Sequence, residues 1–229
     1  MPEPDMRNIS NISAALSTCN LADAHDHLGL VCKWLSRDLT ATRPARFWGY
    51  ADVVQWGPTR KTSDIKAVSP STWDEVKSFV AELRPSGHPR IYVSGCREAS
   101  RDYVLLGGLS LTYLARLGYA GVVANGTIRD HDEVAELDLP IWSTGFAVMD
   151  SQGCMKVESR GTACTVAGHV VRQDDLVLGD GNGVVAVASE DIEAVLATAT
   201  RIAGIESEML AKIRSGGNLY DLVEGGGHI

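Results

Sequence analysis

Hydrophobic and polar positions change period several times along this chain, and each change marks an element. From about Ile12 to Leu28, Ala and Leu recur at helical spacing with short polar breaks, which predicts two short helices. Phe47 to Trp56 (FWGYADVVQW) mixes aromatic and β-branched residues and runs into Gly57-Pro58, the pattern of a strand ended by a loop. Thr72 followed three residues later by Glu75 reads as a capping box, opening an amphipathic helix to about Leu83 that Pro85 and Gly87 close. A strand at Arg90 to Ser94 follows, then a helix from about Leu109 to Leu117 and a buried strand from Gly121 to Ala124. A polar turn, a short helix around Asp132 to Leu137 and a strand at Pro140 to Ser143 complete this half. Such alternation builds an at least partly parallel sheet.

From Gly145 to Ala188 the period shortens to strands separated by Gly and Asp turns, including TVAGHVV, DLVLGD and VVAVA. Gly179-Asp180-Gly181-Asn182-Gly183 has the wrong glycine spacing for a dinucleotide loop and leads into a strand, so it predicts a hairpin turn. Ser189 is expected to cap a long last helix, about 189–215, stopped by Gly216-Gly217. The expected fold class is α/β, with a central, partly parallel sheet, a β-rich carboxyl-terminal half and flanking helices. No Pro/Ser-rich linker divides the 229 residues, so a single domain over 1–229 is expected.

Composition narrows the function. No apolar run approaches the roughly 18 to 20 residues of a spanning helix, and the start, MPEPDMRNIS, lacks the basic and apolar character of a secretory leader. No membrane association and a cytoplasmic location are therefore expected. A formal charge of -8 without a Lys/Arg cluster argues against nucleic acid. The five cysteines (Cys19, Cys32, Cys96, Cys154, Cys164) have neither zinc-site nor disulfide spacing, so buried free thiols are expected. His25 and His27 flank Asp26, but two imidazoles without a third ligand point to a structural role.

Chemistry concentrates in Gly107 to Asp130, GGLSLTYLARLGYAGVVANGTIRD. Gly107 and Gly108 precede a helix whose first amides, around Leu109 and Ser110, could bind a carboxylate; close helix packing accounts for the glycine pair equally well. After the buried strand, Asn125-Gly126 turns the chain and delivers Arg129-Asp130 to a strand's carboxyl end, where ligands of open α/β sheets collect. A guanidinium there can grip a carboxylate twice and an aspartate can hold Mg²⁺ or Mn²⁺, although an acidic residue at a helix start beside a solvated arginine would look the same. Arg97 and Arg101 lie just before the glycine pair as further candidates for a second carboxylate.

This stretch resembles the family that includes 4-hydroxy-4-methyl-2-oxoglutarate aldolase and the regulator of ribonuclease E activity A. The resemblance extends to LADAHDHLG, FWGYADVV, LPIWSTG and DDLVLGDGNGVVAVASE, and so spans nearly the whole chain. It implies a swivelling α/β fold assembled as homotrimers or homohexamers, with active sites between subunits and the last helix at the interface. It also implies a divalent metal, Mg²⁺ or Mn²⁺, held mainly through water, in a lyase that cleaves or decarboxylates pyruvate-like 2-oxo acids. By match to the motif, Asp130 would anchor the metal, Arg129 would bind the substrate, and Leu109 and Ser110 would complete its carboxylate site. A glutamate of a neighbouring subunit's last helix, Glu206 or else Glu208, would approach the metal. The pattern breaks at Gly108, where the family's aldolases carry an acidic residue. A branch of the family caps a ribonuclease, which makes a non-catalytic protein-binding regulator the alternative.

Overall fold

A run such as FWGYADVV, with almost no polar interruption, can be covered only if both faces of its strand are buried. The computed structural model, which describes residues 16–42, 45–59, 76–81, 83–97, 100–151 and 153–225, meets that requirement. Its strands in chain order are β1 (Lys33–Trp34), β2 (Thr40–Ala41), β3 (Phe47–Pro58), β4 (Arg90–Cys96), β5 (Val104–Leu106), β6 (Gly121–Ala124) and β7 (Thr127–Ile128), then β8 (Ile141–Ser143), β9 (Met155–Arg160), β10 (Ala163–Val166), β11 (His169–Arg172), β12 (Leu176–Asp180) and β13 (Gly183–Val187). Its helices are α1 (Thr18–His27), α2 (Gly108–Arg116), α3 (His131–Ala135), α4 (Ile192–Arg214) and α5 (Leu219–Glu224). The described chain forms two compact units, residues 33–189 and a helical unit drawn from both ends of the chain.

Nine strands of the larger unit form one mixed sheet in the order β1-β13-β12-β3-β4-β6-β8-β2, with β9 also pairing β3. β3, β4, β6 and β8 run parallel to one another, while β12, β13, β1, β9 and β2 add antiparallel strands. This is the mixed α/β architecture with a β-rich second half that the sequence predicts. Alternate residues feed two cores. Tyr92 and Val122 join Trp56, Leu111, Leu114 and Ile141 on one face, whereas Ile91, Val93 and Val123 join Phe47, Val53, Val177 and Val184 on the other. Each fully buried aliphatic side chain contributes about 1.5–3 kcal/mol, so a one-residue slip of β4 would invert both cores at once.

The β-rich half is tied by Asp175, fully buried and accepting from Lys33 Nζ at 2.8 Å, Arg172 N at 3.0 Å and Ser189 N at 3.1 Å. Those bonds offset the cost of burying its charge. Ser189 is therefore not the helix cap the sequence suggested. α4 begins three residues later, and Asp191 occupies the N-cap position without a side-chain bond. The expected turns are present: Ala167-Gly168, both at positive φ, closes β10 onto β11, and Gly181-Asn182 closes β12 onto β13.

In the helical unit, α1 packs on α4, and Leu21, Ala24, Val195, Ala199 and Ile202 of the two helices are buried. Ser17 caps α1 reciprocally with Asn20: Asn20 N donates to Ser17 Oγ at 3.1 Å and Ser17 N to Asn20 Oδ1 at 3.0 Å. Of the two helices expected between Ile12 and Leu28, only α1 falls among the described residues. The Thr72-Glu75 capping box lies outside them, and residues 77–79 form a 3₁₀ turn. His25 is buried with Nδ1 2.6 Å from Leu21 O, the structural role expected of it. Cys96 and Cys164 are buried, and burial pushes the Cys164 thiol up to about 12. Cys19 is instead exposed and Cys32 and Cys154 are half-buried. Among the described residues no helix is long and apolar enough to cross a membrane.

Candidate active site

Two very short strands set the site. β5 and β7 pair in parallel with Leu106 opposite Ile128, so Gly107 and Arg129, which follow them, emerge side by side. Arg129 N donates to Leu106 O at 3.2 Å and fixes that alignment. The next residue, Asp130, adopts φ 64° and ψ 57°, the left-handed region, at the N-cap of α3. For most side chains that conformation costs about 1–3 kcal/mol, but Asp is among the few that enter it readily. The turn carries the carboxylate back toward α2, where Gly108 N donates to Asp130 Oδ2 at 2.7 Å.

The glycine pair makes this approach possible. A Cβ at Gly107 would lie 2.8 Å from Asp130 Oδ2 and 3.1 Å from Arg129 Nε; one at Gly108 would lie 3.1 Å from Asp130 Cβ. A side chain at Gly108 would be accommodated only if Asp130 gave way slightly. Gly107 is the N-cap of α2, and the Ser110 hydroxyl serves it twice, accepting from Gly107 N at 3.1 Å and donating to Gly107 O at 2.9 Å. The amides of Leu109 and Ser110 lie in the first turn, where no helical carbonyl is available to them.

Arg129 stands between two carboxylates. Its Nε is 3.7 Å from Asp130 Oδ2 and its Nη1 3.3 Å from Asp150 Oδ2. All three side chains are roughly 40% exposed (37%, 41% and 42%), so these pairs are solvent-screened and can be exchanged for a ligand at little cost. They line a cavity of about 500 Å³, within the range of small-molecule sites. Its walls are apolar, from Val76, Phe79, Val80, Val104, Leu105 and Leu106, while Ser110, Tyr113 and Ser151 add polar groups.

The six residues Gly107, Gly108, Leu109, Ser110, Arg129 and Asp130 are thus brought together. Glu206 belongs to the helical unit, where its Oε2 accepts from Asn20 Nδ2 at 2.7 Å; Glu208, on the same helix, is exposed. Arg101 is taken up by Asp38, 3.3 Å away, and Arg97 is exposed. Asp150 is a site residue that the motifs did not mark. It enters through an isolated parallel bridge between Asp150 and Val104, a contact made only in three dimensions.

Among the described residues no group of three or more His, Cys, Asp or Glu is placed to hold a metal ion. The donors present are carboxylate oxygens open to the cavity. That set fits a hard cation keeping most of its waters, as Mg²⁺ and Mn²⁺ do, and does not fit a tetrahedral zinc site.

Fold and site define a mixed α/β protein with an arginine-aspartate cavity beyond the carboxyl ends of its strands. A family model described as RraA-like, Aldolase/RraA, matches residues 18–186, and the chain belongs to that family. The family joins aldolases with RraA proteins, one of which is named as an RNA-processing inhibitor. An uncharacterized protein of Methanocaldococcus jannaschii, MJ0644, is 25% identical over 126 residues, 55% of this chain and 60% of the relative's length. The crystal structure of an uncharacterized protein from Pseudomonas syringae superposes with TM-score 0.76 at 23% identity, over 96% of this chain and 98% of that one. RraAS2 of Streptomyces coelicolor, titled an unusual member of the RNase ES inhibitor RraA family, gives TM-score 0.72 at 24% identity, over 95% and 100%.

Proposed function

We propose that the chain is a divalent-metal-dependent carbon-carbon lyase that cleaves 4-hydroxy-2-oxo acids or decarboxylates oxaloacetate. The observation that carries this reading is the placement of Arg129 between Asp130 and Asp150, beside the first amides of α2, in one cavity. Two carboxylates outweigh one guanidinium, so the site as built favours a cation over an anionic keto acid. Asp130, assisted by Asp150, would hold Mg²⁺ or Mn²⁺, which when bound supplies Lewis-acid stabilisation of charge on the 2-oxo group. Arg129 keeps a fixed positive charge beside the oxygen where the enolate develops. The Leu109 and Ser110 amides receive the C1 carboxylate. Glu206 of an adjacent copy would complete the cation's surroundings in a trimer or hexamer.

The test is a panel of oxaloacetate and 4-hydroxy-2-oxo acids assayed after exhaustive chelation and after Mg²⁺ or Mn²⁺ is restored, with Asp130→Asn as the background for spontaneous decay. Turnover should appear only with the ion and only with Asp130 present. Full activity after chelation, or no turnover of any member, would contradict the proposal. The second reading, a protein-docking regulator, is favoured by exposed apolar residues beside the site: Leu109 and Val148 are each 90% exposed and Met149 is 59% exposed. Absence of turnover together with inhibition of a ribonuclease E-type cleavage would select it.

A further inference from the structure

A second cavity, of about 520 Å³, lies at the amino ends of β4 and β6, away from the carboxyl-end site. Three arginines line it: Arg84, Arg90, the first residue of β4, and Arg160, the last of β9. Ser78, Ser86 and the Tyr119 hydroxyl add polar groups. Residues 76–81 stand between the two cavities, with Val76, Phe79 and Val80 lining the first and Ser78 and Ala81 the second. Tyr92 anchors this partition by donating from its hydroxyl to Phe79 O at 2.7 Å.

The charges here do not balance. Arg160 is held by buried Asp52, Nη2 lying 3.2 and 2.9 Å from its two oxygens, and Tyr119 donates to the same carboxylate. Even so, Arg160 Nη1 is buried with no acceptor among the described residues, an arrangement that normally costs free energy. Among the described residues Arg90 pairs with the exposed Asp174, 3.3 Å away, a contact of little worth in water. Arg84 donates to Leu83 O at 2.8 Å and has no carboxylate partner among the described residues. Among the described residues, three guanidinium groups thus face one buried and one solvated carboxylate, in a protein whose formal charge is -8. Local positive charge against that background, in a cavity of ligand size, is what recognition of a multiply charged oxyanion requires.

We infer that the Arg84–Arg90–Arg160 cavity binds the phosphate group of a small molecule. Several charged forks and hydroxyls converging on one space suit a dianion with three acceptor oxygens better than a single carboxylate. The inference stands whether or not the first cavity is a lyase site. Its test is titration calorimetry with inorganic phosphate and pyrophosphate, with malonate as the carboxylate control. Removing Arg160 would leave Asp52 buried and unpaired, so the informative variants are Arg84→Ala, at an exposed position, and Arg84→Ala/Arg90→Ala, each checked by thermal melt. Phosphate or pyrophosphate should bind saturably at one per chain, at least about tenfold more weakly to the double variant and unchanged to Arg129→Met. The assignment would be overturned by no saturable binding of either phosphate compound, by equal binding by wild type and both arginine variants, or by loss of binding in Arg129→Met, which would place the anion in the first cavity. Preference for malonate would equally overturn it.

Discussion

Arg129 and Asp130 are adjacent in sequence, yet the left-handed turn at Asp130 gives their side chains different partners. Asp130 Oδ2 is tied to the α2 amide of Gly108, while Arg129 reaches across to Asp150. Separate roles follow. Arg129→Lys keeps the charge but loses the planar fork, so KM for a 2-oxo acid should rise and turnover should slow, with Mn²⁺ affinity little changed. Asp130→Asn keeps the size and the turn but removes the anionic oxygens, so Mn²⁺ affinity should fall strongly and activity with it, even at saturating substrate. Mn²⁺ titration and steady-state rates, with melts to exclude unfolding, check both; Asp130→Asn that binds Mn²⁺ normally and turns over normally would remove the metal site. The pair itself could be read from the sequence because a buried strand and an Asn-Gly turn announce a strand end. Asp150 could not, since nothing in FAVMDS distinguishes it from any other loop acid.

At the scale of elements, regular periods were readable and short strands were not. GVVA, four apolar residues between turn signals, is β6 at its predicted bounds, and the 3.6-residue period of α4 holds over 23 residues. Its start was misplaced because the Ser189 amide is bonded to Asp175, a tertiary partner that no local pattern reveals. α5, six residues long, is too short for a period to register. The same limit hides β5 and β7, of three and two residues, whose pairing sets Gly107 against Arg129. That dependence is testable. Gly107→Ala would place a methyl group 2.8 Å from Asp130 Oδ2, forcing the carboxylate or α2 to move by a sizeable fraction of an ångström. Displacements of that order can cost about 100-fold in rate, so kcat/KM should fall steeply while the melting temperature changes by only a few degrees. Wild-type activity in Gly107→Ala would show that the close approach is not needed.

For the whole molecule, the helical unit exposes Leu210, Ile213, Leu219 and Tyr220, and the rim of the first cavity exposes Leu109, Val148 and Met149. Apolar groups left in water on two surfaces favour association, and the family resemblance implies a trimer or hexamer. Light scattering at micromolar concentration should return three or six times the chain mass of 24.5 kDa; a monomer would eliminate a site shared between copies and with it the role given to Glu206. The left-handed backbone at Asp130 bears on how a lineage carrying this fold could change its occupation. Only Gly, Asn and Asp hold such a conformation at small cost, so drift at this position has few exits that spare the architecture. Aspartate to asparagine is a single-nucleotide step that leaves the turn intact while discarding the charge. A descendant that had given up catalysis for protein binding should therefore carry Asn or Gly there, next to an arginine that need not have changed at all.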